Sequence, residues 1–208
     1  MAAPHERAAH WDDAYRGLGV ESVSWFEPEP TMSLALLDAL RIGPGEAVLD
    51  VGGGASALVD YLVDRGFRDV TVLDVSAVAL DEGHARVGPD APVAWLREDL
   101  LSWRPPRRYD LWHDRAVFHF LIDPADRRRY CGVLADATAP GGAVVVGTFA
   151  EDGPESCSGL PVARYGASDL CDELGPRFQP LVSKREVHVT PTGALQPFTW
   201  VAGRMAEG

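Results

Sequence analysis

The sequence predicts an α/β fold: a mostly parallel sheet, doubly wound, with helices on both faces. Three observations carry this reading. Short apolar runs alternate with amphipathic stretches from residue 47 to residue 149, the pattern of repeated βαβ units. The first run, Val48-Leu49-Asp50-Val51, breaks into Gly52-Gly53-Gly54. The second, Val70-Thr71-Val72-Leu73, ends in Asp74. Glycines directly after the first strand, with an acid about twenty residues on, place a nucleotide crevice at the carboxyl edge of such a sheet.

The elements follow in order. Trp11, Tyr15, Trp25 and Phe26 stand in a polar N-terminal setting and are read as a lid over the crevice. After Pro28 and Pro30, the spacing of Met32, Leu34, Leu36, Leu37 and Leu40 predicts an amphipathic helix ended by Gly43-Pro44-Gly45. Strand one covers 47–51. Leu58, Val59, Leu62 and Val63 recur at three and four residues, a buried helical face closed by Gly66. Strand two covers 70–73, and Ser76 caps a helix to about Val87. Strand three covers 93–96 and runs into Arg97-Glu98-Asp99. Residues 104–108 are a loop, and 109–112 form strand four by propensity alone. Asp123-Pro124 starts a helix that reaches about Thr138. Pro140-Gly141-Gly142 turns the chain into a buried strand over 143–149. Residues 150–166 form a long loop, and 167–174 a short helix. Two β-like runs, 181–189 and 197–204, flank Pro191-Thr192-Gly193 and predict an antiparallel hairpin.

The chain has 208 residues, 46% of them hydrophobic and 24% charged, enough for one globular domain with a substantial core. Three parts are expected within it: a lid and helix over 1–45, a cofactor-binding core over 46–150, and an acceptor loop, helix and hairpin over 151–208. The formal net charge of −12 argues against nucleic acid as partner, since a basic footprint supplies that affinity. Cys131, Cys157 and Cys171 are odd in number and match no zinc spacing, so a reducing cytoplasm is expected and a disulfide framework is not. Residues 1–10 are polar and no run approaches ~18 apolar residues, so neither a leader nor a membrane span is expected.

Two cofactor readings compete for the glycine loop. Gly52, Gly54 and Ala57 satisfy the dinucleotide pattern G-x-G-x-x-G/A, which by itself is a weak signal. S-adenosylmethionine uses the same crevice without a pyrophosphate. Asp50, directly before the glycines, disfavours a pyrophosphate and suits the ammonium of a methionine moiety. Asp99 follows strand three, where an adenine amino group needs an acceptor. The chain also ends in a hairpin instead of a second substrate domain.

The chain resembles the class I S-adenosylmethionine-dependent methyltransferases. The stretches that carry the resemblance are Leu49-Asp50-Val51-Gly52-Gly53-Gly54, Leu73-Asp74-Val75-Ser76, Glu98-Asp99-Leu100, and Tyr109-Asp110-Leu111-Trp112-His113-Asp114-Arg115 before Pro140-Gly141-Gly142. The resemblance implies a Rossmann-like seven-stranded sheet of order 3-2-1-4-5-7-6 with strand 7 antiparallel. It implies that Asp50, Gly52, Gly54, Asp74 and Asp99 bind S-adenosyl-L-methionine, with Ser76, Leu100 and Trp25 beside them, and that S-adenosyl-L-homocysteine leaves as product. The middle residue Gly53 departs mildly from many relatives.

The acceptor side is expected where strand four ends. Methyl transfer is an in-line displacement, so alignment of the nucleophile carries most of the rate. His113 and His119 are candidates to take a proton, and Asp114 to orient one or contact substrate. Arg115 is a candidate for an anionic group. A metal centre from His113, Asp114 and His119 lacks a third well-spaced ligand, and none is expected. Trp11, Tyr15, Cys157, Arg164 and Tyr165 complete the expected acceptor pocket. Arg127-Arg128-Arg129 reads as a solvated helix face, and Gln196, Phe198 and Trp200 as hairpin packing. The leading expectation is a methyltransferase acting on a small molecule, with a thiol or another soft nucleophile favoured. A protein-lysine methyltransferase is the alternative, and a nucleotide-binding domain without methyl transfer the third reading.

Overall fold

The computed structural model describes residues 4–207. Its strands are β1 (Val48–Val51), β2 (Val70–Asp74), β3 (Val93–Arg97), β4 (Tyr109–Arg115), β5 (Thr138–Phe149), β6 (Ser156–Cys157), β7 (Leu160–Pro161), β8 (Phe178–Val189) and β9 (Leu195–Met205). The helices are α1 (Pro4–Leu18), α2 (Thr31–Ala39), α3 (Leu58–Asp64), α4 (Ala77–Val87), α5 (Pro124–Ala137) and α6 (Ala167–Leu174). Seven strands make one sheet in the order β3-β2-β1-β4-β5-β9-β8. The first five are parallel where they pair. The last strand, β9, inserts antiparallel between β5 and β8. Counted within the sheet, this is the expected order 3-2-1-4-5-7-6.

The central strands are buried on both faces. Val144, Val145 and Val146 of β5 are fully buried, as are Val48 and Leu49 of β1. This is why they read as continuous apolar runs with no alternation. One face packs Leu34, Leu37, Leu58, Leu62, Leu111 and Trp200 into a single cluster. The other collects Trp112, Phe118, Tyr130, Leu134 and Leu170. Successive residues of a strand point to opposite faces, so β4 sends Leu111 to the first cluster and Trp112 to the second.

The elements depart from expectation in three places. β4 continues through His113-Asp114-Arg115, past the apolar stretch that propensity detects. These polar residues stay in the strand because each has a partner inside the fold: Asp50 for His113, Tyr130 for Asp114 and the Trp25 carbonyl for Arg115. β5 begins at Thr138, before the proline and glycines. Its pairing with β4 jumps from Tyr109 with Thr138 to Leu111 with Ala143, so the Pro140-Gly141-Gly142 stretch is a bulge within a strand. The long loop contains the small hairpin β6–β7. Its two turn residues, Ser158 and Gly159, both have positive φ (51° and 75°), the geometry of a tight primed turn.

Gly147 in β5 marks where the sheet admits no side chain. A Cβ there would lie 2.7–2.8 Å from ring atoms of Trp200, which is fully buried. Gly147→Ala is therefore expected to destabilise the fold by about 1–3 kcal/mol, the usual cost of overpacking. A urea titration should show a lower midpoint with an unchanged slope.

Candidate active site

Asp50, the last residue but one of β1, is buried. It accepts a hydrogen bond at Oδ1 from His113 Nδ1 (2.7 Å). On its other side His113 Nε2 lies 2.9 Å from Ser33 Oγ of α2. Both ring nitrogens of His113 thus have partners inside the fold. The second carboxylate oxygen, Asp50 Oδ2, is buried and has no hydrogen-bond partner. A buried carboxylate oxygen without a partner in the fold can accept a hydrogen bond from a ligand.

The glycine loop wraps this acid closely. Gly52 has φ +66°, and a Cβ on it would collide with Val117. A Cβ on Gly53 would strike Asp50 Oδ2 and approach Val72 to 2.9 Å. A Cβ on Gly54 would reach Asp74 Oδ2 at 2.7 Å. The middle glycine thus gives the Asp50 carboxylate its room. Asp74, at the end of β2, accepts from the Ser76 backbone N–H (2.8 Å). Burial, with Asp50 and Asp12 close by, pushes its carboxyl up to about 7.

The N-terminal segment straps across the open end of the sheet. Asp12 of α1 accepts from Ser76 Oγ (2.7 Å) and the Val78 N–H (3.2 Å), fastening α1 to the start of α4. Arg7 donates to Asp99 Oδ2 through Nε (3.0 Å), while Asp99 Oδ1 takes the Leu101 N–H (3.0 Å). A cofactor adenine at Asp99 would share that carboxylate with Arg7 or displace it. Trp25 Nε1 donates to the Tyr15 hydroxyl (2.9 Å). Trp11 meets Trp25 and Phe120 edge-on, with centroids 5.5 and 5.0 Å apart. His188 Nε2 donates to the Ser24 carbonyl and Arg115 Nη1 to the Trp25 carbonyl, both at 2.9 Å.

Two connected openings result. One is lined by Asp50, Gly52, Gly53, His113, Arg115 and Trp25, with Glu27 at its side. The other encloses about 930 Å³ of space open to solvent. Asp74, Asp99, Leu100, Trp11, Tyr15 and Cys157 line it. Val51, Gly52, Tyr15, Trp25 and Arg115 border both.

Several expected site residues lie outside both openings. Asp114 points to the opposite face of β4. It accepts from the Val117 and Phe118 N–H groups (2.8 and 3.1 Å) and from Tyr130 Oη (2.6 Å), so it holds the turn after the strand. His119 is fully buried. Its Nδ1 accepts the Phe149 N–H (3.3 Å), and burial, with Arg115 near, pushes it down to about 3, so it is neutral and enclosed. Ser76 is the cap of α4, receiving the Ala79 N–H (3.1 Å). Arg164 is exposed and bonds the Gly153 carbonyl and Glu155. Tyr165 packs beside Phe118 in the second core cluster. Sequence reasoning missed Ser33, Arg7 and Glu27. Nothing in the local pattern at Ser33 marks it, because its role exists only through His113. Asp12 stood beside Trp11 in the N-terminal aromatic pattern, and that adjacency was the available signal.

Residues 48–142 match the family described as a methyltransferase domain. Among solved structures, the chain is similar to 1,6-didemethyltoxoflavin-N1-methyltransferase of Burkholderia thailandensis, solved with 1,6-didemethyltoxoflavin and S-adenosylhomocysteine bound. The identity is 21%, with 99% of this chain and 92% of that chain covered, at a TM-score of 0.74. It is also similar to the N-methyltransferase NodS of Bradyrhizobium japonicum WM9 in complex with S-adenosyl-L-homocysteine (19%, 93% and 99% covered, TM-score 0.67). The chain has the class I S-adenosylmethionine-dependent methyltransferase fold. A curated relative, the eEF1A lysine and N-terminal methyltransferase of Mus musculus, is 28% identical over 102 residues. That match takes in 48% of this chain and only 14% of the relative's length. Among the described residues, no helix is long and apolar enough to cross a membrane.

This methyltransferase fold carries a charge conflict at Asp74. A carboxyl whose folded value is raised from 3.8 to about 7 contributes stability below its unfolded value and loses it as the pH rises through 7. Asp74→Asn is therefore expected to raise the melting temperature of the ligand-free protein at pH 8, with the gain shrinking towards pH 5. The same variant should bind S-adenosylhomocysteine about tenfold to hundredfold more weakly, through loss of charged hydrogen bonds. Melting curves at the two pH values and calorimetric titration check both arms.

Proposed function

We propose that this protein transfers the methyl group of S-adenosylmethionine to a small-molecule acceptor with a soft or readily ionised nucleophile, such as a thiol. The residues present fit the cofactor. Asp50 has an orphan buried oxygen for its ammonium, the glycine loop leaves its backbone bare, and Asp74 and Asp99 stand at the ends of β2 and β3 for ribose and adenine, with Leu100 against the ring. When bound, the cofactor supplies an electrophilic methyl group on a positively charged sulfur. Trp11, Tyr15, Trp25 and Cys157 line the remaining space on the acceptor side.

The observation that carries this reading is how the expected proton carriers are engaged. His113 has both ring nitrogens in hydrogen bonds, and Asp114 and His119 are enclosed in the fold. None of the three presents a free lone pair to the cleft, so the acceptor brings a nucleophile that needs little help from a base. His113 is a positioning residue that holds Asp50 towards the cofactor. The aromatic strap over the cleft suits a compact, partly apolar acceptor. The similar N1-methyltransferase solved with bound 1,6-didemethyltoxoflavin supports a small-molecule acceptor. The three free cysteines suit a reducing compartment such as the cytoplasm.

A protein-lysine acceptor is the second reading, favoured by the partial match to the murine eEF1A methyltransferase and by a net charge of −12 that would attract a basic partner. Incubation with methyl-labelled S-adenosylmethionine and host extract separates the two. Label in the small-molecule fraction is expected, whereas label confined to protein would replace the proposal with the lysine reading. His113→Gln separates positioning from base catalysis. It should raise the KM for the cofactor about tenfold, through misplacement of Asp50, and leave the pH–rate profile of kcat unchanged. Loss of one limb of that profile would restore His113 as a base.

A further inference from the structure

We propose that Arg115 receives the carboxylate of the cofactor's amino-acid tail, so that Arg115 and Asp50 together select the complete zwitterion. The inference rests on the reading of S-adenosylmethionine as cofactor and adds a residue and a selectivity to it.

The Arg115 side chain is only 12% exposed. Nη1 is committed to the Trp25 carbonyl (2.9 Å), and the guanidinium lies over the Phe198 ring at 5.1 Å. Nε stands 3.3 Å from Glu27 Oε2 as an ion pair but makes no hydrogen bond, and Nη2 makes none either. Both nitrogens are buried from water. The same opening is lined by Asp50, whose Oδ2 is likewise buried and unpartnered. One opening beside the glycine loop thus carries an orphan anionic acceptor and orphan cationic donors. Buried charged groups left in this state are costly, and a ligand with an ammonium and a carboxylate on one carbon completes both at once.

Both ends of this clamp are held before the ligand arrives. His113 and Ser33 fix Asp50. The Trp25 carbonyl and Phe198 fix Arg115. The next residue, Ala116, has φ +74°, a conformation rare for a side-chain-bearing residue, and it turns the chain away directly after the guanidinium is placed. Glu27 does not exhaust Arg115. Burial raises the Glu27 carboxyl against the lowering effect of Arg115, and Glu186 raises it further, while Nε and Nη2 of the guanidinium stay without a hydrogen bond. An anionic group on the methyl acceptor is the competing use of Arg115, and the test below tells the two apart.

The test compares binding of S-adenosylhomocysteine and of its decarboxylated analogue, by calorimetry, to the wild-type protein and to Arg115→Gln. The wild type is expected to favour S-adenosylhomocysteine about tenfold to hundredfold, the range for a charged hydrogen-bonded pair. Arg115→Gln should lose that preference, with the affinity for the decarboxylated analogue unchanged within about twofold. Arg115→Lys should recover only part of it, because a point charge replaces a fork of donors. Equal weakening of both ligands in Arg115→Gln would overturn the proposal in favour of a purely structural arginine. Weakening of neither would assign Arg115 to the acceptor. A wild type that does not discriminate between the two ligands overturns it without any variant. Failure of the wild type to bind either ligand would instead remove the cofactor reading beneath it.

Discussion

The hydrogen bond between Asp50 and His113 is the constraint around which this site is organised. It joins the carboxyl ends of two adjacent parallel strands, β1 and β4. Through Ser33 it also reaches α2 on the covering face. The bond fixes which oxygen of Asp50 is used inside the protein and leaves the other buried and unpartnered beside the glycine loop. The glycine loop depends on it in turn. Gly53 lies so close to the free oxygen that a methyl group would displace it, so the middle glycine and the carboxylate orientation require each other. A nucleotide fold thereby gains a cation-seeking oxygen where a pyrophosphate-binding loop would keep the space free of negative charge.

The second theme is concentrated negative charge held under an N-terminal strap. Asp50 and Asp12 both disfavour ionisation of Asp74, so the unliganded site is electrostatically uncomfortable. Asp12 itself is treated differently. Burial works against its charge, yet the Ser76 and Val78 hydrogen bonds and nearby Arg16 hold its carboxyl below the ordinary value. The strap therefore contributes one well-satisfied acid that clamps α1 to α4, beside one poorly satisfied acid aimed at the cleft. Stability has been given up where a ligand is to be received, a common division between scaffold and site. His188 and Arg115 pin the other end of the strap through the carbonyls of Ser24 and Trp25, so the aromatic cover is tied down at both ends of the opening.

Most of the scaffold was legible because period and punctuation agree with the final structure. Apolar runs, the Ser76 cap, the Asp123-Pro124 start and the hairpin breaker after Val189 all report on local geometry, and local geometry survives in the fold. The sheet order came from the family resemblance, since pattern alone does not set the order of strands. The placing of Asp50, Asp74 and Asp99 at neighbouring strand ends was legible because the topology of a parallel sheet brings those ends together. The acceptor side was not. His113, Asp114 and His119 are all titratable and near the expected mouth, but burial and partners decide a role, and partners lie far off in sequence. Asp114 finds Tyr130, and His113 finds Asp50 and Ser33, over separations of 16, 63 and 80 residues.

One rule would have sorted these candidates without the partners. In a strand the side chains alternate between faces, and β1 and β4 pair in register with Asp50 opposite His113. Once β4 is extended to Arg115, His113 and Arg115 must share a face, and Asp114 must take the other with Trp112. The first face carries Trp200 and Phe198 of β9 against His113 and Arg115. The second carries Tyr130 of α5, which binds Trp112 Nε1 and Asp114 together. The error therefore lay in ending β4 at Trp112, where propensity fades. A polar continuation of a buried strand is a place where side-chain partners replace apolar packing, and in this fold it is where the scaffold becomes the site.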